Sequence, residues 1–277
     1  MKALLVLLLV CTGVFAQQPE PVVQTPVQYS LGIVPQQSAQ KLAGMWIPVI
    51  DYINEKTGFA ISFATATDIP TFENRVAQQD YDLVYMNPYH YVVFSESANY
   101  LPLARDAHKR ISGIIVVRKD SPYTTLEQLY GKTLAFPAPA AFAASIIPRG
   151  QLAKENISIN AQYVNSHDSV YLNVINGLFP AGGGIIRTFE HLPQVQNEQL
   201  RILWKSKDYT PHALAVHSRV PEAHRRLILD ALLSLSESED NTHLLQGINF
   251  TGFIEALDSD WDDVRELGIL SLSRPYY

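Results

Sequence analysis

Cysteine is almost absent from this chain: there is one, Cys11, in 277 residues. If it is lost with a leader, the folded body has no disulfide framework, no cysteine-ligated metal centre and no thiol nucleophile. Stability then has to come from a large core rather than covalent staples. Charge is also sparse, with 21 Lys and Arg against 27 Asp and Glu, a formal balance of −6. There is no basic stripe of the kind nucleic acid requires and no cationic amphipathic membrane face. Long hydrophobic runs are missing as well. The unbroken apolar stretch Ala3–Val10 falls well short of the roughly 20 residues that a spanning helix needs.

Catalytic and metal signatures are equally scarce. Gly131-Lys132-Thr133 resembles the end of a phosphate-binding loop, but Leu126 stands where the first glycine belongs, and the order is helix then strand. It reads as a turn. No G-x-S-x-G elbow and no H-E-x-x-H pair occurs. Among the eight histidines no metal-ligand spacing is seen; His212 and His217 should point to opposite faces of a strand. The acidic group Asp258, Asp260, Asp262 and Asp263 lacks the glycine and distal glutamate of a calcium loop and suits a helix N-terminus. Nothing calls for a cofactor or pairs an acid with a base, so no catalytic residue and no enzymatic activity are expected.

What is present begins with an export signal. Lys2 supplies a positive start, Ala3–Val10 an apolar centre, and Val14-Phe15-Ala16 a peptidase site. Cleavage after Ala16 would remove Cys11 and carry the mature chain into the periplasm. Val10 precedes Cys11 where a lipidation site wants a small residue, so lipid anchoring is the lesser alternative. Residues 17–28, rich in Pro and Gln, read as a solvated leader.

From Tyr29 onward strands and helices alternate, the pattern of parallel sheets with crossover helices. Strands are expected at 29–34, 61–66, 83–86, 101–105, 111–118, 133–136, 162–165, 201–204 and 213–217. Ser38 should cap a helix that sets Leu42, Met45, Trp46, Val49, Ile50 and Ile53 on one face, kinked at Pro48 and stopped at Gly58. Further helices are expected over 71–79, 140–155 and 167–178, the last with Val170, Val174 and Leu178 in register. Others should run from Pro221 to Leu235 and from Asp260 to Leu270, where Trp261, Val264 and Leu267 face inward. Thr124 and Glu127 have capping-box spacing.

Five small-residue segments follow strands, where an open α/β sheet binds its ligand. They are Val34–Ser38, Met86–Tyr89, Phe136–Ala140, Ser166–Asp168, and Gly182-Gly183-Gly184 leading to Arg187 and Thr188. Helix N-termini at such places offer free N–H groups to an anion.

Together these segments resemble the periplasmic phosphate/phosphite/phosphonate-binding proteins of ABC importers, in the type II periplasmic-binding superfamily. The residues that carry the likeness are Leu31-Gly32-Ile33-Val34-Pro35, Asp82–Pro88, Val116–Ser121, Leu126–Lys132, Ser166-His167-Asp168 and Asn176-Gly177. It extends from about Tyr29 to Leu235. The resemblance implies an α/β fold of two lobes that close on a ligand, one formed by 29–112 plus 217–277 and the other by 113–216. Arg105–Gly113 and Tyr209–His217 are then the hinge candidates. It implies a monomer that binds a small anion, phosphonate-like or an organic acid, and hands it to an inner-membrane permease, with no nucleic acid partner. A membrane sensor kinase is the alternative partner, and small-molecule catalysis on the same fold a further alternative.

The ligand-binding candidates follow from that picture. Asn87, Tyr89, His167 and Arg187 orient the ligand, Gln36 and Gln37 close from the first lobe, and Phe142 packs on it beside Ala141 and Ser145. One departure stands out. Where the family carries a serine/threonine-rich stretch, this chain has Ala140-Ala141-Phe142-Ala143-Ala144-Ser145, which leaves Ser145 as the one side-chain donor and adds an apolar surface.

Overall fold

The computed structural model describes residues 26–237 and 239–267. The expected signal sequence, most of the expected leader and the end of the helix expected over 260–270 lie outside them. The chain opens with β1 (Gln28–Ile33), α1 (Ala39–Thr57), β2 (Ala60–Ala64), α2 (Ile69–Ala77), β3 (Leu83–Met86) and α3 (Pro88–Ser97). Ser38 caps α1 by accepting from Lys41 N at 3.3 Å, and Gly58 ends it in the left-handed region at φ 72°. The α1 helix buries Leu42, Trp46, Val49, Ile50 and Ile53, as its periodicity predicts, and runs on as one helix through Pro48. Helix α3 is buried on nearly every side, Pro88, Tyr89, His90, Tyr91, Val92 and Phe94 included. Such a helix belongs in a core, and each aromatic side chain so buried contributes on the order of 2–3 kcal/mol.

The chain continues through β4 (Tyr100–Asp106) and β5 (Gly113–Arg118) to β6 (Thr133–Phe136), α4 (Ile147–Lys154), β7 (Asn160–Tyr163), α5 (His167–Ile175) and β8 (Ala181–Ile185). Next come α6 (Ile186–Glu190), α7 (Gln194–Asn197), β9 (Leu200–Lys205), β10 (Ala213–His217), α8 (Glu222–Ser234), α9 (Thr242–Gly247), β11 (Phe253–Glu255) and α10 (Asp262–Arg265). They form two sheets, one of six strands in the order β11-β4-β10-β3-β1-β2, the other of five in the order β7-β6-β8-β5-β9.

Both sheets are mixed rather than parallel. β1, β2 and β3 run parallel, but β10 lies antiparallel between β3 and β4. In the smaller sheet β5 runs antiparallel to β8 and to β9. β5 and β10 are the strands on which the chain enters one sheet and returns to the other. A strand arriving from the opposite half runs against those built by local β–α–β units.

The segments 107–112 and 206–212 that join the sheets are tied to each other by a short antiparallel bridge, Ile111 N to Tyr209 O at 2.9 Å and Tyr209 N to Ile111 O at 2.8 Å. Buried Asp106 anchors the first, accepting from His108 N, Lys109 N, Thr251 N and Thr251 Oγ1. The second is held by the C-terminal turn, where Trp261 Nε1 donates to Pro211 O at 2.9 Å and Thr210 N to Asp263 Oδ2 at 2.8 Å.

Four local expectations are corrected. Gly182-Gly183-Gly184 is a loop in the sequence reading but a buried strand in the fold, part of β8. A Cβ on Gly183 would come within 1.9 Å of Ala144 O, so glycine is what lets the 140s segment rest on that strand. The helix expected over 140–155 opens with a wide π turn, Phe142–Ile146, before α4. Pro148 has no N–H to give Ala144 O, and Ile147 N bonds back to Phe142 O. Leu178 lies beyond α5 and is exposed, 68 %. At the 124 turn it is Gln128, rather than Glu127, whose side chain accepts from the backbone N–H of Thr124 and Thr125.

Candidate functional site

The helix starts after β3, β6 and β7, and the start of α2 after β2, converge on the space between the sheets. Asp68 caps α2 through Thr71 N at 2.8 Å, Asn87 caps α3 through His90 N at 2.8 Å, and Ser166 caps α5 through Ser169 N at 3.1 Å. Between them lies a central cavity of about 10 Å³, lined by Val34, Gln36, Asn87, residues 141–144, His167 and His212, among others. That is about the room of a single water. The two halves are closed on each other. No acidic side chain lines this space, and the starts of α3 and α5 border it at Asn87 and His167, where first-turn N–H groups have no intrahelical partner.

His167 opens α5 and is 1 % exposed, and neither of its ring nitrogens has a partner. Burial, reinforced by the nearby Arg187 charge, pushes its pKa down to about 3, so it is neutral at physiological pH. His212 is also driven well below the ordinary histidine range, by burial first and then by Arg187. A neutral His212 accepts at Nε2 from Gln36 Nε2 at 2.8 Å, and its ring stacks on Tyr85 at 5.1 Å between centroids.

Arg187 reaches across from α6 to the six-stranded half. Its Nη2 donates to Gln36 Oε1 and its Nη1 to Tyr85 Oη, both at 2.6 Å. Tyr171 Oη lies 2.8 Å from Thr188 Oγ1 and donates to Ile185 O at 3.3 Å, which fixes the turn that carries Arg187. Asn87 forms a second tie between the halves, its amide donating to Ala140 O at 3.2 Å. Behind Asn87, the buried pair His90 Nε2 and Glu73 Oε1 stands at 2.9 Å. It sets the start of α3 without reaching the cavity.

The candidate residues therefore fall into groups. Gln36, Asn87, Ala141, Phe142 and His167 border the central cavity. Gln37 and Arg187 border a larger neighbouring one. Phe142 meets Tyr209 edge to face at 5.4 Å. Tyr89 and Ser145 are fully buried and border neither cavity; burial and then Glu73 raise the Tyr89 pKa to about 12. His212 and Tyr85 are candidate functional-site residues that the sequence alone does not single out. Tyr85 reads in the sequence as one more residue of a buried strand. His212 lies just before β10, where no ligand spacing marks it, and its place beside Tyr85 of β3 is what matters. Among the described residues no group of three or more His, Cys, Asp or Glu is placed to hold a metal ion, and no helix is long and apolar enough to cross a membrane.

Comparison with known proteins agrees with this architecture. A curated relative, the phosphate-import protein PhnD of Mycolicibacterium smegmatis, is 20 % identical over 293 residues, covering 93 % of this chain and 90 % of that protein. A binding-protein component of an ABC phosphonate transporter from Pseudomonas aeruginosa superposes with a TM-score of 0.82 at 17 % identity, covering 88 % of this chain and 86 % of the other. PhnD1 of Prochlorococcus marinus, solved in complex with methylphosphonate, gives 0.79 at 16 % identity, covering 88 % and 98 %. At these identities the structures establish the two-lobed periplasmic-binding-protein fold. The sequence model described as "ABC transporter, phosphonate, periplasmic substrate-binding protein" matches residues 31–261. The chain accordingly belongs to the family of periplasmic substrate-binding proteins of phosphonate ABC transporters, which bind and deliver ligands rather than transform them.

Proposed function

We propose that this protein captures a small oxyanion, phosphonate-like or an organic acid, between its two lobes and delivers it to an inner-membrane ABC permease. The observation that carries the reading is His167. It is a buried side chain with two unpartnered ring nitrogens, at a helix N-terminus, in a cavity without acidic residues. An oxyanion entering there would meet a ring N–H, the opening amides of residues 142–144 and the Asn87 amide. It would also meet Arg187, once that side chain exchanges Gln36 Oε1 for an anionic oxygen. Charge-assisted bonds of this kind are the strong ones. Ala141 and Phe142 supply backbone and an apolar wall, Gln36 and Gln37 close the opposite side, and His212 buttresses Gln36. Tyr89 and Ser145 support the walls from behind.

The two relatives named for phosphate import and solved with methylphosphonate favour a tetrahedral oxyanion. The division of the chain expected from the sequence, 29–112 with 217–277 against 113–216, is proposed with its second boundary moved to Ala213. There β10 joins the larger sheet. Export by a signal sequence cleaved after Ala16, and a monomeric mature protein, complete the reading. Isothermal titration and thermal shift with methylphosphonate, phosphite, phosphate and small carboxylates test it. At a ligand concentration one hundred times Kd the folded state gains about 2.7 kcal/mol. Silence across the whole panel overturns the proposal.

A further inference from the structure

A larger free space lies beside the place where the oxyanion is expected. The central cavity holds about 10 Å³, whereas a chamber of about 200 Å³ opens on the other side of Gln36. Gln36 and Val34 border both, so the Gln36 side chain is the partition. The floor of the chamber is apolar: Leu42, Met45 and Trp46 from one face of α1, and Ile248 just past α9. Its rim carries Lys41, Arg187 and His191, and no aspartate or glutamate lines it. The partition is held by bonds that an anion can replace, since Gln36 Oε1 accepts from Arg187.

We infer that the ligand is an organic oxyanion with an apolar substituent, a short alkyl chain or a single ring, which lies in this chamber against Leu42, Met45, Trp46 and Ile248. The inference rests on the proposed oxyanion reading and specifies the other end of the same ligand. Three observations favour it over a bare inorganic anion. Residues 140–144 are alanines and Phe142, so this wall offers no side-chain hydroxyl to surround a compact oxyanion. The chamber is adjacent to the oxyanion position and is not a separate surface groove. Its size also fits, since an apolar cavity of about 150 Å³ already admits benzene. Lys41 and Arg187 at the rim, with no carboxylate beside them, disfavour a substituent ending in an ammonium group.

Titration of the whole mature protein with methyl-, propyl-, butyl- and benzylphosphonate, and in parallel with acetate, butyrate, valerate and phenylacetate, separates the possibilities. Affinity is expected to rise with tail length in whichever head-group series binds, by up to about fourfold per methylene buried. Trp46 fluorescence should respond to butyl and benzyl tails and not to methyl, with Trp46→Phe identifying the signal. Met45→Trp, which fills the chamber, should erase the advantage of the longer tails and leave methylphosphonate or acetate within about threefold of the parent. Nuclear Overhauser contacts between tail protons and the Met45 methyl group provide the same reading without a variant. If a methyl-bearing or inorganic anion binds as tightly as the longer members, the inference is overturned and oxyanion capture stands. If no member of either series binds, both fall.

Discussion

Arg187 Nη2 lies 2.6 Å from Gln36 Oε1, although 151 residues separate them and they belong to opposite halves of the molecule. With Arg187 Nη1 on Tyr85 Oη, one guanidinium holds two groups of the six-stranded half. The same fork that would bind an oxyanion therefore also latches the closed form, and the two uses compete for the same donors.

Replacing Arg187 by alanine should loosen closure and weaken binding together. Removing one partner of a charge-assisted bond costs about 1.5–3 kcal/mol, so affinity for the ligand of the wild-type protein should fall roughly 10- to 150-fold. Small-angle scattering of the ligand-free variant should show a larger radius of gyration. An unchanged radius alongside an unchanged affinity would remove Arg187 from both roles.

His167→Ala is expected to separate function from stability. The side chain is buried with both ring nitrogens unpartnered, so its loss takes away no bond from the ligand-free fold. Melting temperature should hold or rise, while affinity drops roughly 10- to 100-fold. A large drop in melting temperature would make His167 a packing residue instead.

Acid should destabilise the protein through this same histidine. In the unfolded chain a histidine takes up its proton at the ordinary value near 6.5. In the folded protein burial and Arg187 delay protonation of His167 to about 3. Between those values the unfolded state binds more protons, so the stabilising contribution is fully present above about pH 6.5 and is lost as the pH falls toward 3. The slope is at most about 1.4 kcal/mol per pH unit for each such histidine, and His212 adds to it in the same direction. Urea midpoints between pH 4 and 8 should fall less steeply for His167→Gln than for the wild type.

Two glycine substitutions should act with opposite sign. Gly183→Ala drives a Cβ into Ala144 O, at 1.9 Å. It should cost about 1–3 kcal/mol and displace the 141–144 wall, weakening ligand binding as well. Gly44 lies within α1 with nothing inside 4 Å of its added Cβ, so Gly44→Ala should stabilise by about 0.5–1 kcal/mol. Chemical denaturation of both variants measures the contrast.

Much of the framework is legible along the chain because its cause is local. The apolar face of α1 is a periodicity, its ends at Ser38 and Gly58 are a hydroxyl cap and a left-handed glycine, and β3, β6 and β10 start and stop where the patterning places them. Ser166 likewise announces a helix start, whereas α3, the helix that Asn87 caps, is missing from the expected elements. The glycine run at 182–184 misleads because glycine marks close approach as readily as a turn. What approaches is Ala144 O, from almost forty residues away. Phe142 and Tyr89 look alike in the sequence as aromatics beside ligand loops, yet one borders the central cavity and the other is buried in α3.

By itself the sequence determined a cysteine-poor α/β chain whose strands end in helix N-termini, the arrangement that suits an anion, because caps, turns and periodic apolar faces act within a few residues. Tertiary structure alone decided which of those ends meet. Arg187 faces Gln36, His167 is sealed without a partner, and an apolar chamber opens beside Trp46 only because the two crossovers, bridged at Ile111 and Tyr209, bring one sheet down on the other. Those contacts join residues on the order of a hundred positions apart or more, and no local pattern records them.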